Sequence, residues 1–164
     1  ACWQIAVESN NTPSVIALST QKVPYINPDN SKNNKCKNGA YLVNITSHDS
    51  RVILVASGTE VALALNVQDN LKKNNIHSKV ISMPCMELFD KQSEKYKKDL
   101  LEDNSLVVTL EAGSITSWQK YTENKDLNLG IDQFGESAPY KEVYDHFNLT
   151  ENKITSFIQK KLRE

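Results

Sequence analysis

Two short segments place side chains capable of chemistry directly after apolar, β-branched runs. The first is Ala56-Ser57-Gly58-Thr59-Glu60, which follows Arg51-Val52-Ile53-Leu54-Val55. A strand end that passes through glycine into a helix can aim backbone N–H groups at an anion. Here there is a single glycine, no Lys-Ser/Thr pair, and a negative Glu60 that would repel phosphate. Ser57 as N-cap with Glu60 three positions later reads instead as a capping box. The second segment is Glu111-Ala112-Gly113-Ser114, just beyond Leu106-Val107-Val108-Thr109-Leu110. Ligands in open α/β folds favour the carboxyl ends of strands, so Glu111 is a candidate proton-transfer group with Trp118 and Tyr121 lining its pocket. Gly113 and Ser114 equally explain a sharp turn and a helix cap, and that bland reading is preferred. A third segment, Phe134-Gly135-Glu136-Ser137-Ala138-Pro139, reads as architecture. Gly135 frees the backbone, Ser137 caps the next helix and Pro139 suits its first turn. Ser137 has no identifiable base.

The remaining reactive residues are dispersed. His48, His77 and His146 show no metal-ligand spacing, and His77 is expected at the surface. Glu87 and Asp90, three apart, read as solvated charges on one helix. Lys32, Lys35 and Lys37 form a modest basic cluster without aromatic partners, so an exposed loop is expected. Cys2, Cys36 and Cys85 are widely separated, with neither a metal pair nor a disulfide framework, which fits a reducing, cytoplasmic setting. A formal net charge of -1 gives no general attraction for nucleic acid or acidic membranes. No apolar run approaches bilayer-spanning length. The opening Ala1-Cys2-Trp3-Gln4 has neither an initiator Met nor a signal-peptide pattern and reads as the interior of a longer chain.

These segments need elements to position them. Residues 2–9 read as the end of a helix, and Ser14-Val15-Ile16-Ala17-Leu18 as a short buried strand. The stretch from Tyr25 to Asn38, rich in Asn and Lys, reads as a linker or exposed loop. Strands follow at Ala40–Val43, Arg51–Ala56, Lys79–Met83 and Leu106–Leu110, with a further edge strand within 127–131. Val61, Ala64, Val67 and Leu71 form one face of a helix ended by Asn74-Asn75. That order of strand, turn, helix and strand is a parallel βαβ unit. Helices are expected within 87–101, at Ser114–Tyr121, at Ala138–Phe147, and at Glu151–Leu162 behind Thr150 as N-cap. In the last, Ile154, Phe157, Ile158 and Leu162 make an apolar stripe. The sum is a three-layer α/β domain.

Four segments in this order resemble transketolases across nearly the whole chain. They are Val52 to Val61, Lys79 to Asp90, Glu111-Ala112-Gly113, and Gly130 to Pro139. The resemblance implies that residues 1–22 are the tail of a pyrimidine-binding domain, 23–37 a linker, and 38–164 a C-terminal domain. The implied fold is a three-layer α/β/α arrangement on a mostly parallel five-stranded sheet. It also implies a parent enzyme, a cytoplasmic homodimer using thiamine diphosphate and a divalent metal (magnesium or calcium). Such an enzyme moves a two-carbon ketol group between ketose and aldose phosphates in the pentose phosphate pathway. The cofactor supplies a carbanion nucleophile and electron sink; its family ligands precede Ala1, so this chain alone is expected to be inactive, with a role in subunit packing. In Leu18-Ser19-Thr20-Gln21-Lys22-Val23-Pro24, Thr20 stands where the family has a phosphate-binding arginine. Thr20 offers one neutral hydrogen bond in place of a bidentate charged one, and Lys22 is the nearby compensating cation. Other readings are a relative such as a deoxyxylulose-phosphate synthase or a pyruvate dehydrogenase β-type subunit, or an independent small-ligand or protein-binding module.

Overall fold

The computed structural model describes residues 1–19, 22–26, 34–101 and 104–164. In chain order the regular elements are α1 (Cys2–Glu8), β1 (Tyr41–Ile45), β2 (Val52–Ala56), α2 (Glu60–Lys73) and β3 (Ser78–Ser82). There follow α3 (Met86–Asp90), α4 (Glu94–Leu100), β4 (Leu106–Leu110), β5 (Asn128–Leu129), α5 (Tyr140–His146) and α6 (Glu151–Lys161). Turns of 3-10 helix occupy Lys35–Asn38, Thr116–Tyr121 and Lys125–Leu127.

The most apolar run takes the middle of the sheet, because only a central strand is covered on both faces. All five residues of β2 are buried. The strand order is β1-β3-β2-β4-β5. Val52 lies opposite Ser78 on one side and Leu106 on the other, and Ala56 opposite Ser82 and Leu110. These pairings are parallel, as is β4 with β5, while β1 runs antiparallel to β3 at the edge. The sheet is therefore mostly parallel and five-stranded, as the resemblance implied.

Alternation along the strands divides the core in two. Val52, Leu54, Val80, Val108 and Leu110 face α2 and α6, meeting Val61, Ala64, Val67, Leu71, Ile154 and Ile158. Ile53, Val55 and Ile81 face the opposite layer, with Phe89, Trp118, and the flanking Tyr96, Leu100 and Tyr121. Both predicted helical stripes thus face the core, with Phe157 and Leu162 only partly buried against it. Gln68, fully buried on α2, donates to Ser78 O at 2.8 Å and accepts from Asn44 at 2.7 Å, which ties the helix to the antiparallel edge. Asn75 ends α2 in the left-handed region, with φ of 57°.

Several local expectations fail. Ser14–Leu18 is not a strand here: Val15 and Leu18 are 96% and 72% exposed, and no described strand lies alongside to satisfy their backbone. The capping box does not form. Thr59 occupies the N-cap of α2, the Ser57 side chain turns elsewhere, and Thr59 itself bonds Glu60. Thr150 holds the N-cap position of α6 without a side-chain bond. Pro139, not Ser137, precedes the first turn of α5, and Gly135 does not use a left-handed backbone. Among the described residues, no helix is long and apolar enough to cross a membrane.

Candidate functional site

The parallel strands β2, β3 and β4 end together, and their following loops bound an open cleft of about 350 Å³. Ser57 enters from β2, Met83, Cys85 and Glu87 from beyond β3, and Glu111, Gly113 and Trp118 from beyond β4. The register delivers this convergence. Ala56 pairs with both Ser82 and Leu110, so Ser57 and Glu111 leave the sheet side by side. The Ser57 hydroxyl donates to Glu111 Oε2 at 3.0 Å. Burial pushes the half-buried Glu111 carboxyl up; hydrogen bonds from Ser57 and Trp118 oppose that, and the charge of Glu60 reinforces it.

Glu60 is the more buried carboxylate, only 4% exposed. Thr59 Oγ1 donates to its Oε1 at 2.6 Å, and the Tyr144 hydroxyl of α5 donates to the same atom at 2.5 Å. Burial, then the bond to Glu60, pushes Tyr144 up to about 12. Sequence reading missed Tyr144 because it lies 84 positions from its partner. A tyrosine on the inner side of a short helix carried no signal of its own.

At the cleft mouth, the Cys85 thiol donates to Glu87 Oε2 at 3.4 Å. The Glu87 backbone N–H, then this thiol, hold the Glu87 carboxyl below its ordinary value. Asp90 does not simply face solvent beside it. Its burial cost is outweighed by bonds from Lys120 and from the Tyr121 hydroxyl, the latter at 2.7 Å, so its carboxyl is lowered. Tyr121 therefore serves Asp90 and does not line the Glu111 cleft, whereas Trp118 does.

The arrangement holds a serine against a carboxylate, with no imidazole on the cleft wall to activate it. His48, His77 and His146 are all exposed, as expected for His77. Among the described residues, no group of three or more His, Cys, Asp or Glu could hold a metal ion. Lys35 is half-buried and Lys37 exposed; Lys32 and Thr20 lie outside the described residues. Lys22 is exposed. Ser57, Glu60 and Glu111 are satisfied by one another's neighbours, so this polar centre locks loops to the sheet.

Fold and cleft together define a three-layer α/β/α domain that carries the usual ligand edge of such sheets without a nucleophile–base pair or metal cluster among the described residues. Residues 39–150 match the family described as the transketolase-like C-terminal domain. The transketolase of Halalkalibacterium halodurans is 35% identical over 159 residues, covering 95% of this chain and 24% of that protein. Solved transketolases superimpose closely. That of Leishmania mexicana gives a TM-score of 0.83 at 33% identity, covering 96% of this chain and 22% of its own. One from Pichia stipitis gives 0.86 at 31% identity, with the same two coverages. The chain belongs to the transketolase family. It spans about a quarter of the length of the curated relatives it matches.

Proposed function

We propose that this chain is the C-terminal portion of a transketolase and serves that enzyme as a packing element. On this reading residues 1–22 are the tail of the pyrimidine-binding domain, 23–37 a linker, and 38–164 the C-terminal domain. The observation that carries it is the superposition over 96% of the chain at a TM-score of 0.83, an extent that leaves room for α1 as well as the sheet. The whole enzyme is a cytoplasmic homodimer that transfers a two-carbon ketol group between sugar phosphates, using thiamine diphosphate and magnesium or calcium.

The described residues do not fit the cofactor. The cleft presents Glu87 and Glu111, whose charges oppose a diphosphate, and the described residues provide no metal cluster. No catalytic step is therefore assigned to them. Thr20 and Lys22 are proposed as sugar-phosphate contacts, with Lys22 the only charged member of the pair. Unchanged phosphate affinity of the whole enzyme after both are replaced would remove that role.

The decisive experiment compares this chain with the full-length enzyme in ketol transfer from xylulose 5-phosphate to ribose 5-phosphate, with thiamine diphosphate and magnesium supplied. Activity is expected only in the full-length enzyme. Activity in the 164-residue chain would overturn the packing role, and inactivity of both would overturn the assigned reaction.

A further inference from the structure

Cys2 and Cys36, read from sequence as unrelated, are neighbours in the fold. Asn34 brings them together. Its side-chain N–H groups donate to Ala1 O at 2.9 Å and Gln4 Oε1 at 3.2 Å, which fixes the first turn of α1. Its Oδ1 accepts from the Cys36 backbone N–H at 3.2 Å, which fixes the 3-10 turn of Lys35–Asn38. One side chain thus clamps the residue before Cys2 to the residue Cys36 itself. The Cys36 thiol interacts with both the Cys2 thiol and the Tyr41 hydroxyl. Cys2 is exposed, whereas Cys36 is 6% exposed. Cys85 is occupied elsewhere, against Glu87.

We propose that Cys2 and Cys36 form a thiol–disulfide modification site whose reactants are low-molecular-weight disulfides. Exposed Cys2 is the entry thiol and buried Cys36 the resolving thiol. The Cys2 thiolate attacks one sulfur of the small disulfide, whose S–S bond breaks; a mixed disulfide forms and one small thiolate leaves. The Cys36 thiolate then attacks the Cys2 sulfur and expels the second small thiolate. Two protein thiols are oxidised by two electrons, the small disulfide is reduced to two thiols, and the two thiol protons pass to the departing thiolates. Burial, then Cys2, push the Cys36 thiol up, while Tyr41 opposes this, so resolution is the slower step. The product ties α1 to the sheet domain across the intervening segment 3–35, an added constraint on the unfolded chain.

The test exposes the purified chain to oxidised glutathione, quenches with an alkylating reagent, and reads intact mass and the digested peptides. A Cys2–Cys36 crosslink is expected, with loss of two hydrogens and no retained glutathione. It should raise Tm by about 5–10 °C, reverse with dithiothreitol, persist in C85S, and vanish in C2S and C36S. Because Cys2 is exposed, C2S retains the fold even if C36S does not. A persistent glutathione adduct on Cys2 without the crosslink, or a crosslink through Cys85, would overturn the proposal.

Discussion

Replacing Gly39 with alanine introduces one methyl group where the backbone leaves no room for it. Gly39 has φ of +78°, and a Cβ built there would lie 2.1 Å from Phe89 N, 2.4 Å from Cys85 O and 2.7 Å from Leu88 C. These are backbone atoms of α3 and its N-cap residue Cys85, so no side-chain rotation relieves them. The same contact carries a hydrogen bond, from Cys85 N to Gly39 O at 3.1 Å. The methyl must therefore push α3 away from the entry to β1. Left-handed strain costs about 1–2 kcal/mol, overpacking about 1–3 kcal/mol, and the weakened hydrogen bond about 1 kcal/mol. The total for Gly39→Ala is about 4 kcal/mol. Gly58 provides the control, because its φ is +51° with nothing within 4 Å of a built Cβ. Gly58→Ala should cost about 1 kcal/mol, the backbone strain alone. Urea unfolding followed by far-ultraviolet circular dichroism measures both. The difference of about 3 kcal/mol corresponds to roughly a hundredfold in the folding constant. Equal losses in the two variants would refute the close-approach argument and leave only the φ penalty.

Three further outcomes follow from the half-buried carboxylate and tyrosines. Burial raises the Glu111 carboxyl, so the folded chain binds more protons than the unfolded one just above the ordinary carboxylate range; its contribution is fullest below that range and is lost as pH rises through the folded value. Glu111→Gln, which keeps an acceptor for Ser57, should be at least as stable as the parent chain at pH 7 and flatten the acid side of the pH–stability curve; a loss above about 1 kcal/mol at neutral pH counts against this. Tyr144→Phe removes a donor from buried Glu60 and should cost about 2 kcal/mol in urea unfolding, while a change below about 0.5 kcal/mol would mean the contact is immaterial. Tyr121 and Tyr144 are both pushed up to about 12. Their neutral forms favour the fold fully below pH 10 and lose that contribution as pH climbs towards about 12. A thermal-stability profile that is flat over this interval would contradict both assignments.

What was legible in the sequence was whatever periodicity encodes. The run Arg51–Ala56 announced a strand, and the spacing of Val61, Ala64, Val67 and Leu71 announced a helix packed on the sheet; the structure adds that Val52–Ala56 is buried throughout. Polar pairing was much less legible. Ser57 and Glu60 have the spacing of a capping box, yet Ser57 gains a charged acceptor, Glu111, that becomes adjacent only once β2 and β4 pair. A charge-assisted bond across the sheet outweighs a local cap, and no local rule could anticipate it. Asp90 with Lys120, and Cys36 with Cys2, were hidden for the same reason. The strand expected at Ser14–Leu18 failed differently. Its apolar residues have the right pattern, but a strand exists only through its neighbours, and none among the described residues accepts it.

The same logic bears on the segment from Asp132 to Tyr140, which is exposed throughout. Phe134 is 98% exposed and Tyr140 51% exposed. Sequence reading treated Phe134–Pro139 as architecture, yet Ser137 caps nothing and a Cβ on Gly135 would touch nothing. Neither residue, then, is shaped by contacts within this chain. Burying a phenylalanine side chain is worth about 2–3 kcal/mol, so leaving Phe134 in water forfeits a large share of a typical domain's net stability. Val15, Leu18 and Tyr25 carry the same cost before the sheet domain. The proposed place in a larger enzyme would account for this exposure, because the core closes around β2 while these apolar residues would meet surfaces of other domains. The proposed packing role, carried by the superposition, thus gains support from residues that make least sense within this fold alone.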